Sequence, residues 1–300
     1  MYRGKTKVVV AFVLALGLIL STFSIGFAAG PNAPKLPEPP AVGNPHGNYV
    51  ALGDSLAAGM TPEGGFGPSY ADMLAVKLTD GNSSYSNFGI PGLTSDDLKN
   101  ILAFDPRSQS PTPASFQYIQ ANINKLSSSA ITTLVNQFGF TGSSIELINN
   151  LMTTSGKIIL TGFLNARIVQ EISQAEIITL DIGGNDALLA QATSNSSILS
   201  EVQQNILKIL SSIKTFNQTD AKIYVMGYPY HEAFIPGLNT LISLGVNFST
   251  LGAIYVSTSS IFVDKYYQYL PDFPNNAHPP KQGCQALAKE LWSAILNNRR

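Results

Sequence analysis

The chain has 300 residues, 44% of them hydrophobic and only 12% charged, with a formal net charge of −1. That is enough apolar material for one sizeable core, and it lacks the dense basic surface that a phosphate backbone demands, so no nucleic-acid partner is expected. The single cysteine, Cys284, has no partner within the chain, which leaves core packing rather than an internal disulfide to hold the fold.

Arg3, Lys5 and Lys7 precede an apolar run over 8–20, and the small residues Gly26, Ala28 and Ala29 follow. A basic start, an apolar centre and a small-residue exit form an export signal, so residues 1–28 are expected to be a signal peptide cleaved after Ala28 and the protein to be secreted. An uncleaved membrane anchor is the alternative, because the apolar stretch continued through Ala29 approaches the roughly 20 residues that span a bilayer. Ser21, Thr22, Ser24 and Gly26 weaken that span. Residues 29–47 include the run PNAPKLPEPPAVGNP, too rich in proline for helix or central strand, and read as an extended spacer. The folded domain is then 48–300.

Residues 49–52 form a short apolar run ending in Gly53-Asp54-Ser55, the pattern of a buried strand feeding a turn. Similar runs lie at 177–180, 223–226 and 261–263. Between them the apolar spacing changes to the helical period: Ile198, Val202, Ile206, Ile209 and Ile213 share one stripe, and Ala286, Leu287, Leu291 and Ile295 another. Strands alternating with helices predict an α/β fold with a central parallel sheet covered on both faces. The stretch from about 105 to 174 exceeds what a simple crossover needs and is expected to be a helical insertion, with amphipathic patterns at Phe116, Ile119, Ile123, Leu126 and at Ile145, Ile148, Leu151, Met152. It reads either as a lid over a lipid-binding cleft or as a packed structural subdomain, and the packed reading is preferred.

Four short blocks carry chemistry: Gly53-Asp54-Ser55-Leu56, then Asn87-Phe88-Gly89-Ile90-Pro91-Gly92, then Ile182-Gly183-Gly184-Asn185-Asp186, and finally His278-Pro279 followed by Gly283. In type and order they resemble the blocks of the SGNH/GDSL hydrolases, and they run through essentially the whole folded domain. The resemblance implies a flavodoxin-like three-layer α/β/α sandwich and hydrolysis of carboxylic esters through an acyl-serine intermediate, without a cofactor. It assigns Ser55 as nucleophile, His278 as general base, and an oxyanion hole made of the Ser55 and Gly92 backbone N–H groups and the Asn185 side-chain amide.

The residues support those roles on their own chemistry. A serine hydroxyl is a poor nucleophile until a base takes its proton, and a strand-to-helix turn exposes it at a sheet's rim. Glycine at 92 lets the backbone approach a substrate oxygen, and the Asn185 amide donates without carrying a titratable charge. Of the three histidines, His46 lies in the spacer and His231 reads as structural, which leaves His278.

One position departs from the family. Its acid stands three residues before the histidine, and here that residue is Asn275. A carboxylate at that place holds the imidazole in its useful tautomer, and the Asp-to-Asn change in a trypsin-type triad costs about 10⁴ in turnover. Asp272, three residues further upstream, is the substitute favoured here, with a backbone carbonyl as the other possibility. Asp54 and Asp186 read as structural carboxylates that bind loop amides. The histidines are scattered with no His-x-x-x-His spacing, so no metal site is expected. Gly64-Gly65-Phe66-Gly67 lacks the Lys-Ser or Lys-Thr of a phosphate loop and reads as a flexible cleft edge. Cys284 reads as a small buried residue.

The expected partners are therefore a small-molecule, lipid or polysaccharide ester substrate and a transient membrane-surface contact, with the protein a monomer. Lipase or lysophospholipase-like activity, short-chain ester hydrolysis and O-deacetylation of a cell-wall or exopolysaccharide sugar all remain open. A non-catalytic binding protein on the same fold is the reading from another class, with Asn275 as its sign.

Overall fold

Strand β1 (Tyr49–Gly53) is buried at every position and pairs in parallel with β2 (Tyr85–Gly89) on one side and β3 (Ile177–Asp181) on the other. The computed structural model describes residues 47–104, 116, 128–138, 145–151, 153–230, 237–262 and 276–298. These all lie within the unit spanning 33–300. The expected signal peptide, nearly all of the spacer, His46, His231, Asp272 and Asn275 fall outside the described residues.

Beyond β3 the sheet continues through β4 (Lys222–Met226) to β5 (Ile254–Val256), giving the all-parallel order β2-β1-β3-β4-β5. This is the doubly wound flavodoxin-like order, in which the chain first adds a strand on one side of β1 and then moves to the other. The three-layer α/β/α expectation holds. β1 and β3 read as near-continuous apolar runs because central parallel strands are covered on both faces.

Two helical groups cover the sheet. On one side α2 (Tyr70–Leu78) packs against the C-terminal α10 (Lys281–Asn297), with the Lys77 ammonium 5.2 Å from the Trp292 ring centre. On the other, α3 (Ser95–Leu102), α6 (Thr154–Gln174), α7 (Gly184–Thr193) and α9 (Leu238–Phe248) surround α8 (Ser196–Phe216). The expected stripe of α8 is buried at Val202, Ile206, Ile209 and Ile213, with Leu210 beside it. Capping boxes start α2 at Ser69/Asp72 and α3 at Thr94/Asp97, each satisfying two end groups that a helix leaves unpaired.

Within the expected insertion, α4 (Ser128–Gln137) and α5 (Ile145–Leu151) precede α6. Leu160, Leu164, Ile168 and Ile172 of α6 are buried in the common core, and Asn165 donates to the Ile101 and Leu102 carbonyls at 2.8 and 3.2 Å. This helix is thus one of the sheet's covering helices. Among the described residues no helix is long and apolar enough to cross a membrane.

Two strands differ from expectation. β2 reads YSNFG and is half-buried at its first three positions, so an edge strand gave no apolar run. At the other edge, Ile261 and Phe262 form a turn rather than a strand, and the three residues of β5 take that place.

Candidate active site

The register places Gly89 of β2, Gly53 of β1 and Asp181 of β3 in one row across the sheet's carboxyl edge. β1 sits where the strand order reverses, the point at which open α/β sheets bind ligands. Ser55, Gly92 and Asn185 follow those three row residues by two, three and four positions, so the register itself brings the expected nucleophile and oxyanion donors to one edge.

At the first turn Asp54 caps the short helix α1 (Ser55–Ala58), its Oδ1 accepting the Leu56 N–H at 3.0 Å. Ser55 is the first residue of that helix and only partly buried. α1 closes on Gly59, whose φ of +78° is left-handed. The loop after it is fastened by a bridge between Met60 and Phe66 and by the Gly67 N–H on the Gly59 carbonyl at 2.8 Å. The glycine-rich cleft edge is therefore an ordered loop.

The second block is tied to the first. Asn87 donates its amide to the Ala57 carbonyl at 2.8 Å while its oxygen accepts the Gly89 N–H at 2.9 Å. Gly92 has a φ of +79°, a conformation that glycine adopts without strain, in the tight turn closed by Leu93 N–H on the Ile90 carbonyl at 3.0 Å.

The third block opens α7. Asn185 donates to the Leu93 carbonyl at 2.9 Å and to Asp54 Oδ2 at 3.4 Å. Both bonds hold the Asn185 amide against the turns of the first two blocks. Asp186 accepts the Ser95 backbone and hydroxyl at 2.8 and 2.6 Å, and Asn205 donates to the same hydroxyl at 3.0 Å. Burial pushes the Asp186 carboxyl up to about 6. It fastens α7 to α3, the structural role expected of it.

Behind the turn lies a buried polar network. Tyr70 donates to Asp181, Tyr228 donates to Asp54, and Asp181 Oδ2 accepts the Asp54 backbone N–H at 3.3 Å. Burial raises both carboxyls, and the Asp54 charge raises Asp181 further. Asp54, with the Leu56 N–H, Tyr228 and Asn185 on its oxygens, is the better place for the pair's negative charge, and the Asp181 carboxyl is held well above the usual carboxylate range.

His278 stands just before α10. Its Nδ1 lies 2.7 Å from Asn276 Oδ1, which also accepts the His278 backbone N–H at 3.0 Å. Asn276 in turn donates to the Pro62 carbonyl at 2.6 Å, and Tyr230 donates to the Ala277 carbonyl at 2.8 Å. Pro62 belongs to the loop that follows α1, so the histidine loop is fastened to the nucleophile's own loop. Burial lowers the imidazole to about 4. Cys284 is buried and its thiol is pushed up to about 12, so it stays protonated and unreactive. Among the described residues no group of three His, Cys, Asp or Glu side chains could hold a metal ion.

Asn276 is the residue that sequence reasoning missed. An Asn two residues before a histidine readily turns its oxygen back on that residue's N–H, a local signal that was present in the sequence.

The family model for GDSL-like lipase/acylhydrolases matches residues 49–291. The chain belongs to that family. GDSL lipases and acylhydrolases cleave ester bonds, and this chain is an ester hydrolase of that kind. No curated protein gives a significant match. Among solved structures, this GDSL hydrolase is similar to the lipase Lip_vut3 from a goat rumen metagenome, with 17% identity over 83% of this chain and 97% of that one and a TM-score of 0.48. It is also similar to a mutant of Axe2, an acetyl-xylooligosaccharide esterase from Geobacillus, with 13% identity over 84% and 96% and a TM-score of 0.46. A family 3 carbohydrate esterase from Clostridium thermocellum gives 18% identity over 83% and 95% and a TM-score of 0.41. At those scores the likenesses carry no argument about the ester this chain takes.

Proposed function

We propose that the protein is an exported serine esterase in which Ser55 attacks the ester carbonyl and His278 takes the hydroxyl proton. The observation that carries this reading is the row Gly89, Gly53, Asp181, which sends Ser55, Gly92 and Asn185 out of one sheet edge at the switch point. In the first step the Ser55 Oγ–carbon bond forms and the carbonyl pair moves to oxygen, where the Ser55 and Gly92 N–H groups and the Asn185 amide stabilise it. The tetrahedral species collapses, the ester C–O bond breaks, and His278 returns its proton to the leaving alcohol. Water, deprotonated by the same imidazole, then releases the acid and restores Ser55.

Ser55→Ala is expected to abolish turnover of p-nitrophenyl esters while leaving the melting temperature nearly unchanged, because a partly exposed hydroxyl contributes little to the core. A fluorophosphonate probe should label the wild type and not the variant. Labelling that survives in Ser55→Ala would place the nucleophile elsewhere. Esters of graded chain length, with acetylated xylan alongside, separate lipase-like or lysophospholipase-like activity from short-chain esterase and sugar-deacetylase activity. Export is supported by the order of basic, apolar and small residues over 1–29. Expressed in a Gram-positive host, the protein should enter the medium with its N-terminus near Ala29. Retention of the full chain in the membrane fraction would support an anchor instead.

A further inference from the structure

We propose that Asn276 is the positioning residue for His278, holding the imidazole in the base-competent tautomer with a neutral amide in place of the family's carboxylate. The proposal rests on the reading that Ser55 and His278 hydrolyse esters, and it goes beyond that reading in naming what orients the ring.

Two bonds fix which way the Asn276 amide faces. Its nitrogen donates to the Pro62 carbonyl at 2.6 Å, so its oxygen must point the other way, and that oxygen accepts the His278 backbone N–H at 3.0 Å. The reverse orientation would set an NH₂ group against an N–H and a carbonyl against a carbonyl. Asn276 Oδ1 is therefore an obligate acceptor, and the ring nitrogen 2.7 Å away, Nδ1, must donate to it. A neutral imidazole carries one ring proton. With that proton on Nδ1, the lone pair lies on Nε2, where a general base needs it.

The same amide also sets where the ring stands. Pro62 lies seven residues after Ser55, in the loop closed by the Met60–Phe66 bridge. One side chain thus references the imidazole both to its own backbone and to the nucleophile's loop, while Tyr230 holds the neighbouring Ala277 carbonyl from β4's side at 2.8 Å. The Asn275 departure from the family does not by itself imply an unoriented histidine, because the next residue supplies the acceptor.

The test reads the ring directly. Full-length protein carrying ¹⁵N-histidine, assigned against His278→Gln, should show at neutral pH a protonated Nδ1 and an unprotonated Nε2 for His278. Asn276→Ala should give a mixture of the two tautomers and lower kcat at least about tenfold, towards the ~10⁴ seen when a triad histidine adopts the wrong tautomer, with KM changed less than about twofold. Asn276→Asp, which keeps the acceptor for Nδ1 but sets a carboxylate oxygen against the Pro62 carbonyl, should restore the Nδ1-protonated tautomer and recover part of the lost kcat. A wild-type ring protonated on Nε2 would overturn the proposal, whether or not any variant folds. So would an Asn276→Ala protein that keeps wild-type kcat and tautomer while Asp272→Asn takes the loss. If the wild type neither turns over esters nor reacts with a fluorophosphonate, the hydrolase reading fails, and the ring spectrum still decides the role of Asn276.

Discussion

Asp181 accepts the backbone N–H of Asp54 at 3.3 Å, in the row where β1 and β3 end. Two buried carboxyls, one of them on the residue that precedes Ser55, thus lie close enough to influence each other. Like charges so placed cannot both be carried at low cost in a medium of reduced dielectric. The two carboxyls differ in environment, with more donors on Asp54 and the Asp181 carboxyl pushed further towards its protonated form.

That assignment predicts a pH dependence of stability. The folded pKa of Asp181 lies well above its unfolded value, so its contribution is fully present below pH ~4 and is lost as pH rises through the folded value. Asp181→Asn keeps the size of the side chain and removes the titration, at the loss of one of the two hydrogen bonds its oxygens accept, a loss that does not vary with pH. Its melting temperature relative to wild type should climb steadily as pH is raised from about 4 to 9, with ester turnover close to wild type. Parallel melting curves at every pH would show that Asp181 does not hold a proton in the fold.

How much of this was legible in the sequence depends on where each residue sits. β1, β3 and β4 are central and covered on both faces, so burial wrote itself into near-continuous apolar runs; β2 at the edge, reading Tyr-Ser-Asn-Phe-Gly, left no such trace. The nucleophile turn and both glycine-containing blocks were legible because their chemistry demands particular residue types. The Asp54–Asp181 contact was not, since it depends on a register between strands that lie far apart in the chain. Asn276 carries no charge that would mark it in the sequence, yet its amide oxygen can accept from a ring nitrogen as a carboxylate does. α6 was absorbed into an expected insertion, although Leu160, Leu164, Ile168 and Ile172 carry a helical stripe of core residues.

Gly89 supplies a second prediction. A Cβ there would lie 2.6 Å from the Ala57 carbonyl carbon and 2.7 Å from Ala58 Cα, which are backbone atoms of α1 and cannot rotate aside. Gly89→Ala must therefore push α1 away from β2, an overpacking that costs on the order of 1–3 kcal/mol and lowers the melting temperature by several degrees. Because α1 begins with Ser55, kcat should fall as well. Gly81→Ala, where a Cβ meets nothing within 4 Å, is the control and should leave both unchanged. Full activity in Gly89→Ala would show that the position of α1 does not govern turnover.

The last prediction concerns acid. A general base works only when unprotonated, and the rising limb of kcat/KM reports the pKa of that base in the free enzyme. Burial lowers His278 to about 4 from its ordinary value near 6.5, and the neutral Asn276 amide adds no charge that would raise it. Activity should thus persist at pH ~5 and fall only as pH drops towards about 4. The same shift has a consequence for folding. A histidine depressed in the fold stabilises it above the unfolded pKa, and that contribution is lost as pH falls from about 6.5 through about 4. Inactivation and unfolding therefore approach each other at the acid end, and circular dichroism at each pH is needed to separate them. Asn276→Asp places a carboxylate beside Nδ1, which favours the imidazolium, so its limb should move to higher pH. A wild-type limb already near ~7 in a fully folded protein would mean that a negative charge faces the ring, and would turn attention to Asp272 as its source.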